Sequence, residues 1–256
     1  MFRKEKTDTD KVWNDRAKNV PYSNANIDDL VQRELENKFM LRELNPGMRV
    51  LEVGCGNGYL TQEIRTRVSS VVSFDFSEEM IEVAKKTCGE KNNRFHCESI
   101  LNADAVTEKF DAILCVRVLI NLADVKEQQQ AIDNMANWLK PGGRLILVEG
   151  YSEGFDALSE LRKSTGASEL KPAKINYYSS FESFKNLIEG KFQITNSWNS
   201  GFYDVMTRAA YPLLVGDDNV NGPGEFHASL KCLFVELNGQ VFEKYARLHG
   251  ISAIKV

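Results

Sequence analysis

The sequence predicts an α/β protein built on a mostly parallel sheet with helices on both faces. Three observations predict it. Short apolar runs alternate with helix-period segments from residue 27 to about residue 150, and such alternation builds parallel strands joined by crossover helices. A glycine-rich run, Gly54-Cys-Gly-Asn-Gly58, directly follows the first of these strands. No Pro-, Gly- or Ser-rich stretch is long enough to serve as a linker, so residues 1–256 are expected to form one domain.

The elements follow in order. Residues 1–24 are polar and contain Pro21, which predicts an N-terminal arm running to residue 26. Ile27, Leu30, Val31, Leu35 and Phe39 have helical spacing, and Asn45-Pro46-Gly47 stops that helix. Arg49 to Gly54 is a short buried strand, followed by a helix from about Tyr59 to Arg67. Val71 to Asp75 is a second strand. Ser77 caps the next helix, with Glu78 and Glu79 at the positive end of its dipole. Met80, Val83, Ala84 and Thr87 form that helix's inward stripe. Arg94 to Cys97 is a third strand and Phe110 to Val116 a fourth. Asp124 caps a helix with the stripe Ile132, Met135, Ala136 and Leu139, and Glu127 is placed for a capping box. Pro141-Gly-Gly143 ends it, and Arg144 to Glu149 is a fifth strand. Beyond residue 150 the pattern is less regular. Ser179 to Ile188 reads as a helix, Phe192 to Trp198 as a strand, and Leu230 to Leu237 as another.

Composition narrows the function. The chain is 43% hydrophobic and 27% charged, with a net charge of -4. Lysines and arginines are spread out, with no basic block to grip a nucleic acid. The start lacks the apolar stretch of a secretory signal, and the longest apolar run, Ala112 to Leu122, is broken by Arg117 and Asn121. A cytoplasmic protein with no membrane partner is expected. The five cysteines include no C-x-x-C pair, so reduced thiols and no metal site are expected.

The chemistry concentrates in Leu51-Glu-Val-Gly-Cys-Gly-Asn-Gly58. Glycines between a strand and a helix permit positive φ and let a ligand touch the backbone. A dinucleotide fingerprint, G-x-G-x-x-G, would need glycine at residue 59, which is Tyr59. No Gly-Lys-Ser/Thr follows, so a P-loop fails as well. The run E-x-G-x-G-x-G resembles motif I of the class I SAM-dependent methyltransferases. Further matches are Asp75 closing the second strand, Phe95-His-Cys-Glu-Ser99, Phe110-Asp-Ala-Ile-Leu-Cys115 and Leu139-Lys-Pro-Gly-Gly-Arg-Leu145. The resemblance covers roughly residues 27–150.

The resemblance implies a Rossmann-like seven-stranded sheet, mostly parallel, with its last strand antiparallel. Residues 27–150 would form the core that binds S-adenosylmethionine, and 151–256 would complete the sheet and supply acceptor-side elements. Gly54 and Gly56 would let the methionine part of the cofactor lie over the loop, with Glu52 orienting it. Asp75 would accept from both ribose hydroxyls, since two vicinal hydroxyls need two acceptor oxygens. It lies 21 residues past Gly54, the span of one βαβ unit. Phe76 and Met80 would pack the adenine, and Glu98 and Ser99 would meet its edge. The family usually shows Gly-Asp-Ala where this chain has Cys97-Glu-Ser99. Cys115 would line the floor.

Acceptor residues should follow the fourth and fifth strands or come from the arm and the tail. Arg117, amid apolar residues, is expected either to grip a carboxylate or phosphate or to pair with Asp104, Glu149 or a backbone carbonyl. Asn121 and Tyr151 are further contacts. Glu149 is a candidate base, or else an ordinary strand-end acid. Tyr203 and Arg208 belong to an expected acceptor wall, Tyr22 to the arm, and His227 is a second candidate base. The expected activity is methylation of an oxygen or nitrogen of a small polar metabolite, anionic or sugar-like, by a monomer or homodimer. The alternatives are a nicotinamide-dependent dehydrogenase and a non-catalytic SAM-binding partner subunit.

Overall fold

The computed structural model describes residues 8–19, 29–89, 91–220, 222–236 and 241–256. Strands β1 (Arg49–Val53), β2 (Ser70–Asp75), β3 (Asn93–Cys97), β4 (Phe110–Val116) and β5 (Leu139–Gly150) pair in parallel. β6 (Phe192–Asn199) and β7 (Leu248–Lys255) extend the sheet, and β7 is antiparallel to both β5 and β6. The order is β3-β2-β1-β4-β5-β7-β6. The chain winds outward from β1 to β3 and then returns to β4. That reversal leaves a crevice at the carboxyl ends of β1 and β4. This is the Rossmann-like arrangement with an antiparallel final strand.

Alternation along each strand builds two apolar layers. Leu51, Val53, Ile113, Cys115, Leu145 and Leu147 join one cluster, with Ile132 and Met135 of α5 (Val125–Trp138) and Phe184 and Leu187 of α7 (Phe181–Ile188). Val50, Ala112, Leu114, Ile146 and Val148 join the other, with Phe39 and Met40 of α2 (Leu30–Arg42) and Ile64 of α3 (Thr61–Ile64). The sheet is therefore covered on both faces. The helix starts carry the expected caps. Met80 N donates to Ser77 Oγ at the start of α4 (Glu78–Cys88), and Lys126 N and Glu127 N donate to Asp124 Oδ1. The first described helix, α1 (Asp8–Asn19), lies within the expected arm and packs on α4, where Lys18 pairs with Glu79. Pro21 and Ile27 lie outside the described residues. Among the described residues, no helix is long and apolar enough to cross a membrane.

The tail holds α6 (Ser152–Ser164), α8 (Gly201–Val205), a π-helical turn (Met206–Ala210), α9 (Tyr211–Val215) and α10 (Glu225–Glu236). The strand expected over Leu230–Leu237 is replaced by α10; Leu237 lies outside the described residues. Leu230 and Phe234, four apart, are buried, whereas Leu233 is 53% exposed. That is a helix's one-sided stripe. The last strand is β7, whose pattern is interrupted by Gly250. A Cβ there would stand 2.7 Å from the Phe39 ring, so glycine lets α2 pack directly on the strand.

Candidate active site

A cavity of about 300 Å³ opens at the carboxyl ends of β1, β2 and β4, at the low end of the usual range for small-molecule sites. Its floor is the glycine loop. Gly54, Gly56 and Gly58 have φ of 68°, 53° and 79°, in the region that only glycine enters without strain. At Gly54 a Cβ would also stand 2.2 Å from Val118 Cγ2. The loop after β4 therefore rests directly on the loop after β1.

Asp75 ends β2 beside this loop. Its Oδ2 accepts from Gly56 N at 2.9 Å and its Oδ1 from Ser77 N at 2.9 Å. Burial pushes its carboxyl up to about 6, against the pull of those N–H donors. Glu52 lines the cavity from behind the loop, where its Oε2 accepts from Thr61 Oγ1 at 2.5 Å and Ser73 Oγ at 2.9 Å. Burial raises it to about 7. Phe76 and Met80 complete this side of the wall.

Arg117 directly follows β4 with φ 52°, a left-handed backbone uncommon outside glycine. Its Nη2 lies 3.4 Å from Glu36 Oε2, not from Asp104 or Glu149. Asn121 Nδ2 donates to Arg117 O at 2.6 Å, and Trp13 Nε1 of α1 donates to Asn121 Oδ1 at 3.2 Å. The cavity thus brings together Glu52, Gly54, Gly56, Asp75, Phe76, Met80, Arg117 and Asn121.

The other expected residues stand elsewhere. Glu149 is buried beside the cavity and accepts from Val118 N, Leu119 N and Ile120 N at 2.8, 2.9 and 3.3 Å. Burial pushes it up to about 7 despite these donors. It clamps the turn after β4 through these three backbone hydrogen bonds. Cys115 sits behind it in the core. Tyr151 is 2% exposed and packed against Phe181, Phe184 and His249. Tyr203 is fully buried and donates to Asp29. Arg208 pairs with Asp204 and Asp29. His227 lies on α10 against Tyr203, Tyr211 and Phe226, and its Nδ1 accepts from Gly224 N. Glu98 accepts from Asn102 and Ser99 from Leu101 N. None of these lines the cavity. For His227 and Tyr151 the reason is enclosure by aromatic rings; for Tyr203 it is the hydrogen bond of its buried hydroxyl to Asp29; for Glu98 and Ser99 it is a local turn. Tyr22 lies outside the described residues.

A family profile described as a methyltransferase domain matches residues 44–200. The chain belongs to that family. It is 32% identical over 136 residues to a ubiquinone biosynthesis O-methyltransferase of Coxiella burnetii, covering 52% of this chain and 54% of the relative. It is 34% identical over 116 residues to a malonyl-[acyl-carrier protein] O-methyltransferase of Bacillus anthracis, covering 44% and 42%. The chain thus spans about half the length of the curated relatives it matches. Among solved structures it resembles an N-methyltransferase of Bradyrhizobium japonicum WM9 in complex with S-adenosyl-L-homocysteine. The TM-score is 0.59 at 15% identity, covering 97% of this chain and 98% of that one, a likeness of fold.

The cavity of this methyltransferase domain also holds residues that sequence reasoning missed. Gln32, Arg33, Glu36 and Asn37 of α2 are buried, and all line it. The Arg33 guanidinium stacks on the Tyr59 ring at 3.5 Å. Gln32 Nε2 donates to Glu36 Oε1 at 2.8 Å. One signal pointed to them: the helix before the glycine loop has polar residues on the turns of its apolar stripe.

Proposed function

We propose that the protein transfers the methyl group of S-adenosylmethionine to an oxygen or nitrogen of a small polar acceptor. One observation carries this reading: the buried Asp75 carboxylate facing a glycine loop held at positive φ. Backbone N–H groups hold both Asp75 oxygens at the edge of the cavity, and a carboxylate with four lone pairs retains acceptor capacity for two ribose hydroxyls. Phe76 and Met80 offer an apolar face to the adenine. Arg33, stacked on Tyr59 beside the loop, suits the methionyl carboxylate.

The cofactor supplies an activated methyl group on a sulfonium. The protein's part is alignment and exclusion of water, and alignment alone is worth roughly 7–11 kcal/mol. Glu149 contributes by fixing the turn that carries Arg117 to Asn121, as a positioning residue. Arg117 and Asn121 stand on the acceptor side of that turn.

Calorimetry with S-adenosylhomocysteine tests this. The wild type is expected to bind. Asp75→Ala should weaken binding by at least about tenfold, the worth of charge-assisted hydrogen bonds. Arg117→Ala should change it by less than about threefold and mainly reduce acceptor turnover. Indifference of the wild type to the ligand, or equal losses in the two variants, overturns the assignment.

A further inference from the structure

We infer that the acceptor is a flat ring bearing a carboxylate, an inference that rests on the methyltransferase reading above. Two features of the cavity carry it: a half-buried arginine, ion-paired to Glu36 at 3.4 Å, whose Nε has no hydrogen-bond partner among the described residues, and an aromatic wall tied to the turn that holds this arginine.

Arg117 Nε is buried and has no hydrogen-bond partner among the described residues. Arg33 lines the same cavity, where its buried Nη1 and Nη2 lie against the Tyr59 side chain. Burial first, and the charge of Arg117 after it, push the Arg33 guanidinium below its ordinary pKa, so the two cations feel each other. Glu36, fully buried beside Arg117, is the carboxylate they share. Two cations on one carboxylate leave a positive excess that desolvation makes costly. The cofactor's carboxylate answers Arg33, which stands over Tyr59 at the glycine loop. Arg117 is left facing the acceptor half. The strained backbone at φ 52° fixes where its side chain starts. A monoanion of planar shape matches one guanidinium edge, which favours a carboxylate.

The wall lines the same cavity. Phe155 and Tyr178 both line the cavity, with ring centroids 5.7 Å apart and planes 30° from parallel. Gly150 makes room for Tyr178, since a Cβ there would stand 2.8 Å from its Cε1. Asn176 Nδ2 donates to Tyr178 Oη at 2.8 Å, and Tyr177 N donates to Ile120 O at 2.6 Å. That last bond joins the wall to the turn carrying Arg117. With Ile120 and Ile175 also lining the cavity, the surface is suited to a flat apolar body whose charged end reaches Arg117.

Thermal-shift titrations of protein saturated with S-adenosylhomocysteine test both halves, using benzoate, benzamide and cyclohexanecarboxylate as probes. Benzoate should bind about tenfold tighter than benzamide, the effect of one charge-assisted contact. It should bind about threefold tighter than cyclohexanecarboxylate, the effect of ring stacking. In Arg117→Gln the preference for benzoate over benzamide should vanish while S-adenosylhomocysteine still binds, which also shows that the variant folds. Equal binding of benzoate and benzamide, equal binding of the two carboxylates, or a preference that survives in Arg117→Gln overturns the inference. A wild type that ignores S-adenosylhomocysteine overturns the methyltransferase reading, and this inference falls with it.

Discussion

Glu149 is charged at neutral pH only against its surroundings. Burial raises it to about 7, as it raises Glu52 to about 7 and Asp75 to about 6. In the unfolded chain these groups titrate near 4. The stability they contribute is therefore fully present below about pH 4 and lost as pH rises through about 7. For Glu149 the loss is on the order of 3 kcal/mol. The ligand-free protein should melt at a lower temperature at pH 7.5 than at pH 5. Glu149→Gln should flatten that slope, since its amide oxygen keeps an acceptor for Val118 N and Leu119 N. A variant with the wild-type slope would mean that Glu149 does not titrate there. At this scale the glycine loop and Asp75 were legible in the sequence, because a positive-φ loop and a strand-end carboxylate are local and fixed by residue type. Arg33 and Glu36 were not. Their burial depends on α2 lying across the glycine loop, a tertiary fact that no local pattern carries. His227 stands outside the cavity for the converse reason: a polar residue type in a segment whose aromatic neighbours enclose it.

At the scale of elements, contact between backbones decides more than propensity does. Gly154 sits in the first turn of α6, where a Cβ would stand 1.6 Å from Ala246 O. Gly154→Ala should destabilise the protein by at least about 2 kcal/mol in urea unfolding. A change under about 0.5 kcal/mol would show that α6 can shift away freely. The same closeness explains which strands could be read. β1, β2, β4 and β5 are buried on both faces, so their apolar runs stand out. β7 is broken by His249 and Gly250, and its apolar content is hidden. Leu230 to Phe234 mimics a strand because a short apolar run does not distinguish the two periods.

At the scale of the whole molecule, one buried polar cluster ties α2, α8 and β7 together. Asp204 is fully buried and accepts from Arg247 N, Arg247 Nε, Arg208 Nε and Ser200 Oγ. Gln32 Oε1 accepts from both arginines. The neighbouring arginines hold the Asp204 carboxyl below its ordinary pKa even though burial opposes them. Asp204→Ala removes the anion paired with Arg247 and leaves Arg208 with its longer pairing to Asp29, and should cost about 3–5 kcal/mol in denaturant unfolding. Asp204→Asn, which keeps hydrogen-bonding capacity, should cost less. Equal losses would mean that the charge itself contributes nothing. β7 has a different long-range role. It lies between β5 and β6, yet it comes after β6 and all of α8 to α10 in the chain. While the ribosome is still making α8 to α10, β6 has no neighbour to bond with, and its exposed edge must wait. Sheet closure is therefore a late event in synthesis, and it comes only when the strand through Gly250 threads into the gap.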